Sequence, residues 1–134
     1  MHILAERIQQ EYPRGFVKAA EWRGDVAVTL ARDFLHDIAR FVHDDPQIDC
    51  DYIVHVSSVD CPDDEERFEV VYEVYSIRKR HRIRLKTRVP ESDCTVDSLT
   101  DLWKGAEFME REVYDMMGIR FRHHPDLRRI LMPD

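Results

Sequence analysis

The chain has 134 residues, of which 43% are hydrophobic, so it is long enough for one domain with a substantial core. Its formal net charge of -7 argues against nucleic acid as the main partner, because phosphate binding is driven by cationic surface. No apolar run approaches the roughly 20 residues that cross a bilayer, no secretory signal is visible, and three cysteines without a CxxC pair indicate free thiols, so we expect a soluble cytoplasmic domain.

The first half of the chain predicts two helices and three strands. A short helix over Ile3–Glu11 is closed by Pro13 and Gly15. The clearer helix follows at 34–42, where apolar residues recur at i, i+1, i+4, i+7 and i+8: Phe34, Leu35, Ile38, Phe41 and Val42. Strands are predicted at 16–22, 26–30 and 52–59 from their β-branched and aromatic content.

The second half predicts a hairpin and then a helix. Residues 68–77 alternate cleanly, and a tight turn near Lys79 and Arg80 leads to a return strand over 83–89, which places Glu73 opposite Lys86. A brief helical turn begins at Ser98, and a full helix over 106–117 ends at Gly118. The order of elements predicts a single α+β domain over 1–134, with a mainly antiparallel sheet, helices packed on it and an extended C-terminal helix-turn-tail.

Basic residues crowd the turn and the return strand. They are Arg78, Lys79, Arg80, Arg82, Arg84, Lys86 and Arg88. A nucleic-acid surface would interleave aromatic residues for base stacking, whereas the alternate positions here are aliphatic. A solvated or partner-facing sheet surface is therefore the favoured interpretation, and a nucleic-acid module using residues 78–88 is a rival that salt-dependent binding would reveal.

No catalytic motif is visible in the sequence. The chain has four glycines, with no GxGxxG, phosphate loop or GxSxG elbow. Carboxylates crowd one helix at Glu107, Glu110, Glu112 and Asp115, but that helix has no histidine to complete a metal site. Arg111 lies four residues from both Glu107 and Asp115, which predicts an ion-pair ladder. A small metal hydrolase built on Glu107, Glu110 and His124 stays the rival from the enzyme class.

The C-terminal segment 106–134 differs from the rest in its density of charge. An apolar stripe of Met109, Val113, Met116 and Met117 runs along its helix, and charged residues occupy the other sides. Gly118 permits a left-handed turn and Pro125 fixes the next bend. The arginines of the tail, Arg128 and Arg129, can fold back onto the helix carboxylates or reach an acidic partner, and the segment can also serve only to close its own core.

In this segment the sequence resembles the C-type, 30-kDa subunit of bacterial NADH-quinone oxidoreductase, the homologue of a peripheral-arm subunit of mitochondrial complex I. The family signature E-R-E-x-x-D stands at 110–115, G-I-x-F at 118–121 and H-P-x-L-x-R-I-L at 124–131. Phe108 occupies a position where many members have tryptophan. The resemblance extends upstream through 51–60, 68–72 and 82–89.

The resemblance implies a non-catalytic subunit of a proton-translocating NADH-quinone oxidoreductase that docks onto and orients the D-type subunit, which helps to form the quinone site. It implies no cofactor or metal in this chain, with NADH, FMN, iron–sulfur clusters and quinone held by other subunits, among them neighbouring cluster-bearing ones. The expected location is peripheral, at the cytoplasmic face of the bacterial inner membrane, which the chain would reach only through the complex. An equivalent scaffold in a membrane-bound hydrogenase or a quinone oxidoreductase without an NADH module is the alternative.

The residues expected to contact the partner come from the signature helix and the tail. They are Glu110, Arg111, Glu112, Tyr114, Asp115, His124, Pro125, Arg128 and Arg129. Because a helix with so many charges cannot bury all of them unpaired, we expect some to be internal and some interfacial.

Overall fold

A five-stranded sheet and three α-helices on one of its faces make up most of the structure, a computed structural model that describes residues 2–127. The helices are α1 (Ile3–Glu11), α2 (Leu35–Asp44) and α3 (Ala106–Met117). The strands are β1 (Phe16–Trp22), β2 (Asp25–Leu30), β3 (Tyr52–Asp60), β4 (Phe68–Ser76), β5 (His81–Val89), β6 (Thr95–Asp97) and β7 (Arg120–Arg122). Two 3-10 turns lie at Arg32–Phe34 and Glu91–Asp93.

The strands of the large sheet lie in the order β1-β2-β5-β4-β3. Neighbouring strands are antiparallel, except for β2 and β5, which are parallel. This arrangement confirms the predicted α+β fold with a mainly antiparallel sheet. A second pair, β6 with β7, is parallel and was not predicted, because strands of three residues are too short to show alternation.

Alternation along the central strands decides which face of the sheet is buried. Along β4 and β5 every second residue is buried, among them Tyr72, Val74 and Leu85. These side chains form one core with the buried faces of all three helices. The side chains between them point to the opposite face of the sheet, which stays at least partly open to solvent.

The β4–β5 hairpin has the predicted strands but a different register. Glu73 lies opposite Arg84, two residues away from the predicted partner Lys86, which faces Val71. A two-residue turn at Lys79 and Arg80 would require left-handed backbone at both residues, which side chains disfavour. The chain instead uses a four-residue connection from Ser76 to His81, in which Arg80 alone has a positive φ, of 58°.

Helix α3 begins and ends where the sequence predicts, with Gly118 left-handed at its C-cap at φ 74°. Its buried face differs from the predicted stripe. Met116 is 75% exposed, whereas the carboxylate residue Glu110 is fully buried beside Ala106 and Val113. The helix therefore turns a charged residue inward and an apolar one outward, and both facts define the candidate site.

Candidate docking site around helix α3

The carboxylate of Glu110 lies inside the domain and accepts three hydrogen bonds. Tyr72 on β4 donates its hydroxyl to Oε2 at 2.6 Å, and the backbone N–H of Leu99 donates to the same oxygen at 2.9 Å. Ser98 donates its hydroxyl to Oε1 at 2.7 Å. One side chain thus ties the sheet, the loop after β6 and helix α3 together, which fixes the position of the helix.

Burial changes the proton affinity of both partners in this network. It raises the pKa of Glu110 above its ordinary value, although the hydrogen bonds from Leu99, Ser98 and Tyr72 offset part of that effect. Burial and the nearby carboxylate raise the pKa of Tyr72 well above its ordinary value, so its hydroxyl keeps its proton and remains a donor.

The raised pKa predicts a pH dependence of stability. Because folded Glu110 binds its proton more tightly than unfolded Glu110, its contribution favours folding at low pH and declines as pH rises from the ordinary value through the raised one. Chemical denaturation across this range should show that the unsubstituted chain loses unfolding free energy relative to Glu110→Gln as pH rises.

Other carboxylates have the opposite effect on stability, which they lower as pH falls, so the pH dependence due to Glu110 appears only relative to Glu110→Gln. The Arg67 guanidinium holds the pKa of Asp60 below its ordinary value, so that pair loses stability on acidification. Such contributions cancel in the difference between the two proteins. A difference that stays flat with pH would contradict the assignment of the raised pKa to Glu110.

The segment after β7 is held against α3 by backbone contacts of a buried histidine. The imidazole of His124 is buried and donates from Nε2 to the carbonyl of Glu107 at 2.8 Å, while Nδ1 accepts from the N–H of Asp126 at 2.9 Å. These bonds assign the Nε2–H tautomer. Arg111 reaches the same segment, 3.5 Å from the carboxylate of Asp126.

The arrangement of His124 argues against a metal hydrolase at this place. Both ring nitrogens are engaged by backbone groups, so neither offers a lone pair to a metal without breaking one of these bonds. Within residues 2–127 no group of three or more histidine, cysteine, aspartate or glutamate side chains could hold a metal ion.

The outward face of α3 is where the helix can meet a partner. Phe108 and Met116, two turns apart, are 53% and 75% exposed, and Glu112 lies exposed between them. Beside this stripe a cleft of about 230 Å³ separates α3 from β3. Its lining is His55, Val56, Ser57, Ser58, Glu112, Val113, Met116 and Met117. Single exposed apolar side chains are common on proteins, so it is the cleft beside Glu112 and Met116 that distinguishes this face of α3 as a candidate binding surface.

The predicted contact residues divide between the interior and the surface. Glu110 and the His124 side chain are internal, Glu112 and Pro125 are exposed, and Arg111, Tyr114 and Asp115 are half-buried. Arg128 and Arg129 lie outside the described residues. The sequence analysis did not identify Phe108 and Met116 as surface residues, because apolar residues at i, i+8 are typical of a buried helix face.

Comparison with known proteins gives a consistent family. The family model described as "Respiratory-chain NADH dehydrogenase, 30 Kd subunit" matches residues 28–134. The C-type subunit of the NADH-quinone oxidoreductase of Geobacter sulfurreducens is 43% identical over 129 residues, 96% of this chain and 78% of that protein. The corresponding subunit of Roseiflexus castenholzii is 45% identical over 132 residues, 98% of this chain and 75% of that protein.

Solved structures share the fold. A trypsin-resistant fragment of Nqo5 superposes with a TM-score of 0.77 at 31% identity, covering 91% of this chain and 98% of that one. A chain of an archaeal membrane-bound sulfane sulfur reductase superposes at 0.80 with 20% identity, covering 98% of this chain and 75% of that one, which shows the fold alone. Within residues 2–127 no helix has the length and apolar character that a membrane crossing requires.

Proposed function

The chain belongs to the family of 30-kDa subunits of the respiratory-chain NADH dehydrogenase, and from this premise we propose that it is a scaffold that docks onto and orients the D-type, quinone-site subunit. The observation that carries the proposal is the exposed stripe of Phe108, Glu112 and Met116 beside the α3–β3 cleft. A partner that covers both side chains and fills the cleft would remove a continuous apolar surface from water.

The charged residues of the signature take two roles in this proposal. Glu110 and His124 act from inside, where they hold α3 and the following segment in place. Glu112, Tyr114, Asp115 and Pro125 belong to the partner surface, together with Arg128 and Arg129 of the tail. Arg111 lies 3.5 Å from the carboxylate of Asp126 and so joins α3 to the segment that contains His124 and Pro125. The internal network thus keeps the docking stripe rigid, which reduces the ordering cost of binding.

The wider role follows the family. We place this chain's partners in a proton-translocating NADH-quinone oxidoreductase, where NADH, FMN, iron–sulfur clusters and quinone reside in other subunits. The chain itself is proposed to be non-catalytic and to hold no cofactor. Its place is the peripheral arm at the cytoplasmic face of the bacterial inner membrane, which it reaches through the complex.

The proposal is tested by co-expression with the quinone-site subunit from the same genome, followed by size-exclusion chromatography with mass determination. The unsubstituted chain should elute as a stoichiometric complex. Phe108→Asp with Met116→Asp should eliminate the complex at micromolar concentration, because two desolvated carboxylates would lie in an apolar interface. Arg128→Glu with Arg129→Glu should weaken it through lost charge pairing.

The matched control is Ile3→Asp, which alters an exposed apolar residue on α1, a helix outside the proposed interface. It should leave the complex intact, and all variants should keep the circular dichroism of the unsubstituted chain. A complex that survives the Phe108 and Met116 substitutions would refute docking through the stripe.

A further inference from the structure

The sheet face opposite the helices, here called the outer sheet face, is built from rows of side chains that run across all five strands. One row is Ala20, Ala27, Arg84, Glu73 and His55, and the next is Lys18, Thr29, Lys86, Val71 and Ser57. At one end Trp22, Arg82, Tyr75 and Tyr52 continue the pattern. Within residues 2–127 no helix packs on this face, since the helices share the opposite core.

Two arginines on this face lie close to aromatic rings. The Arg84 guanidinium is 5.2 Å from the ring centroid of Trp22 on β1, and that of Arg82 is 5.8 Å from the ring of Tyr75 on β4. Trp22 and Tyr52 are 39% and 53% exposed. Arg84 uses its Nε–H to donate to Glu73, which leaves its terminal N–H groups for a partner. Tryptophan, tyrosine and arginine are the residues in which interface hot spots are enriched.

Charge on the outer sheet face is arranged with cations above carboxylates. Arg84 donates to Glu73 at 2.9 Å, Arg82 lies 3.8 Å from the same carboxylate, and Lys86 lies 3.9 Å from Glu69. The side chains of Glu73 and Glu69 are only 16% and 19% exposed, whereas those of Arg82 and Arg84 are 45% and 35% exposed. An approaching molecule therefore meets cationic groups first, on a protein whose net charge is -7.

We propose that the outer sheet face is a second docking surface, separate from α3, and that it takes an acidic patch of another protein subunit. Carboxylates of that partner would accept hydrogen bonds from Arg82 and Arg84, and its apolar rim would cover Trp22 and Tyr52. The two surfaces meet at His55 and Ser57 of β3, which also line the α3–β3 cleft. The proposal still does not depend on docking through α3, because the arginines and aromatic residues that carry it lie on the sheet and outside that cleft.

A phosphate surface is the less suitable occupant. Glu69 and Glu73 neutralise part of the charge of Arg84 and Lys86, so the face keeps too little net positive charge to hold a nucleic-acid backbone or an anionic bilayer, each of which is anionic throughout. A protein surface of mixed charge can pair with both. Guanidinium groups also lie over the rings of Trp22 and Tyr75, which makes these two rings poorer stacking platforms for bases.

Carbodiimide coupling in the purified, assembled complex tests the contact directly. This reagent joins a lysine amine to a carboxylate in contact with it, and Lys18 is an exposed amine on the outer sheet face. Peptide mass spectrometry should find Lys18 joined to an aspartate or glutamate of a different polypeptide. Lys79, exposed in the β4–β5 turn, is the internal control and should show at least tenfold less coupling.

Charge reversal in the cell supplies the second measurement. Arg82→Glu with Arg84→Glu should reduce the assembled complex at least tenfold on native gels, whereas Arg14→Glu with Arg40→Glu, two exposed arginines elsewhere, should leave it unchanged. If Arg84→Glu proves misfolded beside Glu73, the coupling result on the unsubstituted complex decides alone.

Several outcomes would overturn the proposal. Coupling of Lys18 to a second copy of this chain would make the face a homodimer contact. Absence of intermolecular coupling, or normal assembly by the folded arginine variant, would leave the face without a protein partner. The chain could instead sediment with phosphatidylglycerol vesicles or bind a single-stranded oligonucleotide. If Arg82→Glu with Arg84→Glu eliminates that binding, the face binds phosphate and not a protein. A complex that survives the Phe108 and Met116 substitutions would refute docking through α3 and would leave the present proposal standing.

Discussion

Replacing Glu110 by alanine is expected to lower the free energy of unfolding by about 3–5 kcal/mol, because each buried donor that loses its acceptor costs about 1–3 kcal/mol and the lost side-chain volume adds to this. The substitution leaves the Tyr72 hydroxyl and the Leu99 N–H without their acceptor inside the core and opens a cavity. The substitution also removes the free-energy cost of burying the carboxylate, which its raised pKa reflects, but this gain offsets only part of the loss. Urea denaturation followed by circular dichroism measures the change.

Glu110→Gln is the matched control for shape and hydrogen bonding. Its Oε1 can accept from Tyr72 and Leu99, and its amide can donate to Ser98, whose hydroxyl then turns to Thr100, 2.9 Å away. It should therefore fall within about 1 kcal/mol of the unsubstituted chain. Equal losses in the alanine and glutamine variants would show that the charge, and not the hydrogen-bond network, holds α3 in place.

Replacing Trp103 by alanine is expected to lower the free energy of unfolding by about 3–5 kcal/mol, as for other large buried aromatic residues. The indole is 3% exposed, lies edge-on to His43 of α2 with ring centroids 5.6 Å apart, and donates from Nε1 to the carbonyl of Cys50 at 3.0 Å. It joins the loop before α3 to α2 and to the chain entering β3. Thermal and urea unfolding should both show the loss.

Trp103→Phe separates packing from hydrogen bonding. It keeps most of the buried ring and loses only the bond to the Cys50 carbonyl, so a loss of about 1–2 kcal/mol is expected. If the phenylalanine variant is as unstable as the alanine variant, the single hydrogen bond, and not the volume of the ring, dominates at this position.

Local pattern was sufficient for most helix and strand positions. Helix α1 and helix α3 begin and end as predicted, because their periodicity is bounded by residues that stop a helix, Pro13 for the first and Gly118 for the second. Strand β4 follows from strict alternation over Phe68–Ser76. These signals are carried by neighbouring residues and need no tertiary information.

Pairing between strands was predicted less well. The hairpin register depended on the conformation of the β4–β5 connection. Arg80 there has a left-handed backbone conformation, which an arginine in the sequence does not predict. The parallel contact of β2 with β5 joins residues such as Val28 and Leu85, far apart in the chain, and no local pattern specifies it.

Within the docking segment, sequence located the right helix but not the roles of its residues. A glutamate in a charged helix is usually a surface residue, and Glu110 is internal because Tyr72, Ser98 and Leu99 supply donors to it in the core. Met116 has the spacing of a core residue, and it is exposed because the rotation of α3 is set by that network. The partner-binding assignments of the exposed residues stay predictions.

Periodicity and contiguous motifs were sufficient to predict the α+β class, the bounds of helices α1 and α3, the buried faces of β4 and β5 and the family resemblance. Tertiary structure alone decided the strand register, the inward rotation of Glu110, the exposed stripe on α3 and the stacked arginines of the outer sheet face. The physical reason is that burial and pairing depend on groups brought together across the chain, whose energies no local window contains.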